Sequence, residues 1–347
     1  MGGIGLRAAE DHAQAAFISS HLLSEGLVSE LTEKSITPIN TSQSFQTVSR
    51  ALENLSVKLG ELVSMEEVEG KSQKEISLGI DLHNKDCLLD EIKTSSSLRE
   101  QARMASLSLP HAGDWLNTTP ILSLGLHLRS SEFIPAARYR LGVPVYESDS
   151  PCIACQRHND KLGDHALHCG HTGERISRHN HLRDALHEIA AAAALNPSKE
   201  DRFLIPGEDV RPADVLLPYW ENGRDTAVDV TVVSSLQEAT VANAAVTPGH
   251  ALNFAFSKKV NKASDACRAQ GLEFIPFVLE ALGGFHSAAD RQVKKLGAAL
   301  ARHNGQPEDE ASRHIFQRLS ILLQKGNASM ISNRKRDFPL PQTDGDI

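Results

Sequence analysis

The sequence predicts an α+β protein: a helical N-terminal region, a knuckle bearing cysteine and histidine, then an α/β core with added C-terminal helices. Three observations carry this expectation. Apolar residues recur at helical spacing early in the chain (Ala15, Ile18, Leu22) and again after residue 286. A C-x₂-C-x₉-H-x₃-C pattern runs from Cys152 to Cys169. Two β-branched runs joined by a Gly-containing turn then read as antiparallel strands, each carrying one Asp.

Composition narrows the function classes. The chain has 347 residues and a net charge of −8, which argues against a protein that coats nucleic acid along its whole length. The acidic excess lies in the first third, and local basic clusters come after it. No apolar run is long enough to cross a bilayer, the longest being about Ile189 to Leu195, so no membrane role is expected. The first residues lack a secretory pattern, which points to an intracellular protein. Five cysteines are too few and too unevenly placed for a disulfide scaffold, and three crowd into one short segment. That crowding points to a metal in a reducing compartment.

Taken in order, residues 1–36 read as a helical hairpin and 35–46, rich in Ser and Thr, as a linker. Residues 47–64 and 70–106 read as two further helices, with Leu78, Ile80, Leu82, Leu88, Leu89 and Ile92 as the apolar positions of the second. Pro110, Pro120, Pro135 and Pro144 break up residues 107–150 into short pieces that dock on the downstream part of the chain.

The knuckle comes next. Three soft thiolates and one imidazole make a closed tetrahedral zinc set, structural rather than catalytic. Cys152, Cys155, His165 and Cys169 are the expected ligands, with Asp164 as N-cap of the turn that puts His165 and Cys169 on one face. His168 and His171 compete with His165 for the nitrogen position.

Residues 175–195 read as a helix with a core stripe of Leu182, Leu186 and Ile189. Its basic start, with Arg175, Arg178, His179 and Arg183, suits phosphates, and Glu188 or Asp184 could face the Asp pair. Phe203-Leu204-Ile205 is a short first strand. The two Asp strands come after it, Asp214 within Pro212–Pro218 and Asp229 within Thr226–Val233. A carboxylate inside an apolar strand is costly unless something pairs with it. Two brought side by side suggest a divalent cation such as Mg²⁺ or Mn²⁺, which favours carboxylate oxygens and substrate phosphates. A helix over about 250–269 carries Lys258, Lys259 and Lys262. A strand over 272–279 and two amphipathic helices, about 286–303 and 308–325, close the domain.

From residue 175 the order is helix, three strands, helix, strand, with Asp on the second and third strands. That order resembles the PD-(D/E)XK nuclease core. Thr231 stands where the plain form has lysine, so the lysine would come from Lys259 or Lys262. The knuckle, Arg178-His179-Asn180, Arg211-Pro212-x-Asp214 and Asp229-Val230-Thr231 together resemble the C-terminal part of site-specific non-LTR retrotransposon proteins, over roughly residues 106–327. There a zinc knuckle precedes a restriction-enzyme-like endonuclease. The resemblance implies a metal-dependent, DNA-nicking enzyme that meets DNA in the nucleus, with retroelement RNA as a further candidate partner. It implies Asp214 and Asp229 as magnesium ligands and Lys259 and Lys262 as the downstream lysine pair. Tyr/Phe-x-Asp-Asp, the polymerase signature, does not occur, so the chain looks like such a tail without its reverse transcriptase. The alternative is a catalytically inactive zinc-knuckle module that binds nucleic acid. The expected divisions are a helical region (1–106), a linking and docking segment (107–150), the knuckle (151–172), a restriction-endonuclease-like domain (173–327) and a disordered tail (328–347).

Overall fold

The computed structural model describes residues 7–32, 43–201, 204 and 213–334. The chain divides into two compact units, one within Gly5–Ser96 and one within Ser97–Ile347. The class is α+β, and no described helix is long and apolar enough to cross a membrane.

The first unit is helical: α1 (Ala9–Thr32), α2 (Gln43–Leu59), the single turn α3 (Met65–Val68) and α4 (Gln73–Ser95). Ala15, Ile18, Ala51, Leu55, Val68, Ile76 and Ile80 form its core. Lys58 reaches Asp11 at 2.5 Å across α1 and α2. Two expectations are corrected here. Residues 9–32 are one continuous helix rather than a hairpin, because nothing between Ala9 and Thr32 stops it. The helix read over 70–106 is two, broken at a serine cluster. Ser96 is extended, and the Ser97 side chain caps the next helix by accepting the Glu100 amide. Leu78, Leu82 and Leu88 are exposed, so Ile76 and Ile80 carry that helix's share of the core. The expected linker at 35–46 lies largely outside the described residues.

The second unit begins with α5 (Leu98–Leu107), two 3-10 turns (Asp114–Asn117 and Leu122–Leu124) and α6 (Ser130–Leu141). Trp115, Ala136 and Ala137 pack with Ile321, so this segment docks on the C-terminal helix. Strands β1 (Ser150–Pro151) and β2 (His158–Asn159) form a two-stranded knuckle. The chain continues through α7 (Glu174–Ala192), β3 (Ser198–Lys199), β4 (Val215–Glu221), β5 (Arg224–Val233), α8 (Val241–Val246), α9 (His250–Ala269), β6 (Glu273–Glu280), α10 (Ser287–Asn304) and α11 (Glu308–Ser332).

The main sheet has the order β3-β4-β5-β6. The first two pairings are antiparallel, and β5 and β6 are parallel with α9 crossing between them. Asn222 and Gly223 turn β4 into β5 with φ of 52° and 70°. Positive φ at both central residues is the twist-matched hairpin turn, and Asn-Gly is the pair that adopts it most readily. Of the expected strand at Phe203-Leu204-Ile205, Phe203 and Ile205 lie outside the described residues. The edge strand seen is β3, whose Lys199 pairs with Val215.

Strand alternation sorts the side chains into two faces. Val215, Leu217, Val228, Val230, Phe277 and Leu279 join one core with Leu182 and Leu186 of α7, Val293 and Leu296 of α10, and Leu319 and Leu323 of α11. Asp229 and Thr231 alternate with these and face α9, which packs on β5 and β6. The C-terminal boundary is also corrected. Helix α11 runs on to Ser332; Ala328, Met330 and Ile331 are buried, and Arg334 is fully buried against Glu174. Apolar burial and that ion pair carry order past residue 327, where a disordered tail was expected; residues 335–347 lie outside the described residues.

The packing generates two stability predictions. A Cβ on Gly297 would sit 2.8 Å from Ser312 Cα, where α10 meets α11. Gly297→Ala therefore forces two backbones apart and lowers unfolding free energy by about 1–3 kcal/mol, read from denaturant titration. Glu280 is buried at the end of β6, hydrogen-bonded by the Ser235 hydroxyl, and burial pushes its carboxyl above the ordinary value. A raised folded-state pKa stabilises the fold while the carboxyl is protonated, and this contribution is lost as pH rises through that pKa. Glu280→Gln should thus melt higher than wild type at neutral and alkaline pH, and the gap should shrink on acidification.

Candidate functional site

The knuckle supplies one candidate centre. The Cys152 amide donates to Arg157 O and the Gln156 amide to Cys152 O, both at 2.8 Å, closing a tight loop around Cys152 and Cys155. Gln156 sits at φ 61°, which lets the chain turn back. The second arm is one helical turn, with the Cys169 amide donating to His165 O at 3.0 Å. Its cap is Asp160 rather than Asp164: the Asp160 carboxylate accepts the Asp164 and His165 amides at 3.1 and 2.8 Å. Asp164 is instead gripped by both arms of Arg99, at 2.6 and 2.9 Å.

These loops bring Cys152, Cys155, His165 and Cys169 together with all ligand atoms within 4.8 Å of one another. Cys155 Sγ lies 3.2 Å from His165 Nε2, and Cys152 Sγ 4.0 Å from Cys169 Sγ. Ligands of a tetrahedral zinc sit about 3.3–3.8 Å apart when the bonds are about 2.0–2.3 Å, so the set could hold zinc with small adjustment. Burial, with His168 beside it, holds His165 below the ordinary imidazole value. That favours the neutral ring, the form in which imidazole binds a metal. Of the three competing histidines, the geometry selects His165. Four protein ligands fill a tetrahedral zinc, which is the pattern of a structural rather than a catalytic site.

The hairpin supplies the second cluster. Val215 is paired with Val228, and Asp214, just ahead of β4, stays beside β5 by donating its amide to Val228 O at 2.9 Å. Each carboxylate has a side-chain partner. Asp229 meets Lys259 Nζ at 2.8 Å and accepts the Thr231 hydroxyl at 3.2 Å. Asp214 meets His179 Nε2 at 3.0 Å and accepts the Val230 amide at 2.6 Å. Burial raises the Asp229 carboxyl above its ordinary value, Lys259 pulls it down, and the charge of Asp214 pushes it up again. A cavity of about 380 Å³ opens over this cluster, lined by Arg175, His179, Asp229, Thr231 and Lys259. Gly170 and Thr172, just past the last knuckle cysteine, form part of its wall.

The fold thus gathers Asp214, Asp229, Lys259 and His179 at one place and leaves Lys262 apart. Lys262 is exposed and lines a neighbouring groove. The basic start of α7 is corrected in part. Arg175 is exposed at the cavity, but Arg178 is buried and donates to Asn327 Oδ1 at 2.7 Å. Arg183 is taken up by Asp184 at 2.9 Å and by Glu200. Neither of these two presents a guanidinium to a phosphate. Asp184 binds Lys199 at 3.1 Å and Glu188 binds Arg318, so neither acid faces the Asp pair. Arg211 and Pro212 lie outside the described residues. Sequence reasoning gives His179 only a phosphate contact and misses its tie to Asp214. It misses the Thr231 hydroxyl on Asp229 too, although the i+2 spacing on one strand face makes that bond legible.

Compared with models of known protein families and with curated proteins, the chain matches none.

The zinc centre is testable directly. Cys169→Ser should reduce bound zinc from about one per chain to near zero, by elemental analysis of the purified protein, and lower its melting temperature. Retention of a full equivalent by the variant would exclude this ligand set.

Proposed function

We propose that the chain is a metal-dependent endonuclease that nicks DNA, with a PD-(D/E)XK-like core and a structural zinc knuckle. One observation carries the reading: Asp229 lines an open cavity with Lys259 and His179, and His179 ties in a second carboxylate, Asp214, from the neighbouring strand. Support for the retroelement descent comes from the resemblance of the knuckle and the two-Asp core to non-LTR retrotransposon proteins.

The donor set fits a hard divalent cation. Carboxylate oxygens are the ligands Mg²⁺ and Mn²⁺ prefer, and two negative charges side by side favour any cation that can lie between them. Asp214 and Asp229 would hold it. When bound, it would lower the pKa of a water and neutralise charge on the scissile phosphate. The protein's residues supply the rest. The Val230 amide and His179 fix the Asp214 carboxylate, so the pair is oriented before substrate arrives. Lys259 neutralises Asp229 in the resting state. Once its place on the carboxylate is taken, it supplies positive charge to the phosphate as the water oxygen attacks phosphorus and the sugar oxygen leaves. Arg175 at the cavity mouth holds a flanking phosphate.

Supercoiled plasmid nicking with Mg²⁺ or Mn²⁺ tests this. Asp214→Ala and Asp229→Ala should abolish nicking, and Lys259→Ala should slow it about a hundred-fold. Lys262→Ala should change it far less. A folded, zinc-loaded wild type that binds plasmid without nicking would leave the inactive binding module as the account of this chain.

A further inference from the structure

Beside the acid cavity lies a second depression of about 520 Å³, between the start of α7, the end of β5 and one face of α9. The two share Arg175, Thr231, Val232 and Lys259 along a common wall, so the groove continues from the acid cluster. Its charge departs sharply from that of the chain. The protein carries 44 acidic against 36 basic residues, yet the groove is lined by five lysines and arginines and by no carboxylate. Among the described residues, Arg175, Lys258 and Lys262 form no ion pair. Such a trough complements a polyanion.

An aromatic ring sits among these cations. Phe254, Lys258 and Lys262 are spaced at i, i+4 and i+8 on α9, which puts them in one row. Phe254 is 57% exposed, and the His250 ring stacks beside it with centroids 6.2 Å apart and planes 16° from parallel. A lone exposed Phe is ordinary. An exposed ring at the head of a lysine row, in a groove free of acids, is the combination that holds single-stranded nucleic acid: cations track the backbone and the ring stacks a base. In a duplex the faces of the bases are already stacked on one another, so the ring has nothing to take.

We propose that this groove seats an unpaired DNA strand leading to or from the acid cluster, with a base stacked on Phe254 and phosphates held by Arg175, Lys258 and Lys262. The proposal rests on the nuclease reading for the identity of the strand, and it makes frayed or branched DNA a better substrate than plain duplex.

Binding tests it without reading cleavage. The full-length, zinc-loaded chain is titrated into fluorescein-labelled oligothymidylate, and separately into a duplex of equal length, in buffer free of Mg²⁺ and Mn²⁺. Oligothymidylate should bind more tightly than duplex. Phe254→Ala should weaken it about tenfold and Phe254→Trp should retain it, since a stacked base is held by the ring face. Lys258→Ala and Lys262→Ala should each reduce the slope of log affinity against log salt by about 0.7. Unchanged melting temperature and zinc content confirm that each variant is folded. The proposal is overturned if Phe254→Ala binds oligothymidylate as tightly as wild type, or if wild type prefers the duplex. Because no bond is broken in this assay, a chain that fails to nick plasmid can still pass it, and an active nuclease can fail it.

Discussion

The pairing of β4 with β5 is the constraint on which the candidate site depends. Its register brings Asp214 beside the stretch of β5 that carries Asp229, and a slip of one residue would turn Asp229 to the core face. That register is held from both sides. The Asn222-Gly223 turn fixes it at one end, and burial of Val215, Leu217, Val228 and Val230 fixes it along the length. Two carboxylates at that spacing repel one another, and the fold offsets this with Lys259 from α9 and His179 from α7. Both faces of the sheet therefore send one side-chain partner to the acid pair. An arrangement that only relieved the strain of a buried pair would not also open a cavity above it.

The knuckle acts on this centre through shape. Its four ligands converge with no position left open, and the arm that leaves Cys169 runs directly into the cavity wall at Gly170 and Thr172. Helix α7 starts a few residues later and delivers Arg175 and His179. Arg334, from the end of α11, is buried between Cys169 O and Glu174, so the C-terminal helix clamps the same junction. Metal binding at the knuckle would thus set where α7 begins, and through it where the Asp214 partner lies.

Much of this was legible along the chain. The C-x₂-C-x₉-H-x₃-C spacing named the three clustered cysteines and put His165 forward with His168 and His171 as rivals, because each half is a local turn whose geometry the spacing fixes. The helix at 250–269 and the strands around 215–221 and 224–233 follow from periodicity and the Asn-Gly turn, which are also local. The misreadings have a common cause. Arg178 and Arg183 have the composition of a phosphate-binding surface, yet one is buried against Asn327 and the other is held by Asp184 and Glu200. Nothing within α7 distinguishes them from Arg175. The helix break at Ser96 and the extension of α11 past residue 327 escape periodicity because capping and long-range burial decide them.

The sequence by itself determined the α+β class, the metal-ligand set short of its histidine, and the two acids carried on neighbouring segments of one hairpin, since all of these are encoded in local patterns. Only the tertiary structure decided which lysine joins Asp229, that His179 holds Asp214, and which arginines remain exposed. Those choices depend on how α7 and α9 are rotated over the sheet. Apolar contacts among residues far apart in the chain set that rotation, and no local pattern records it.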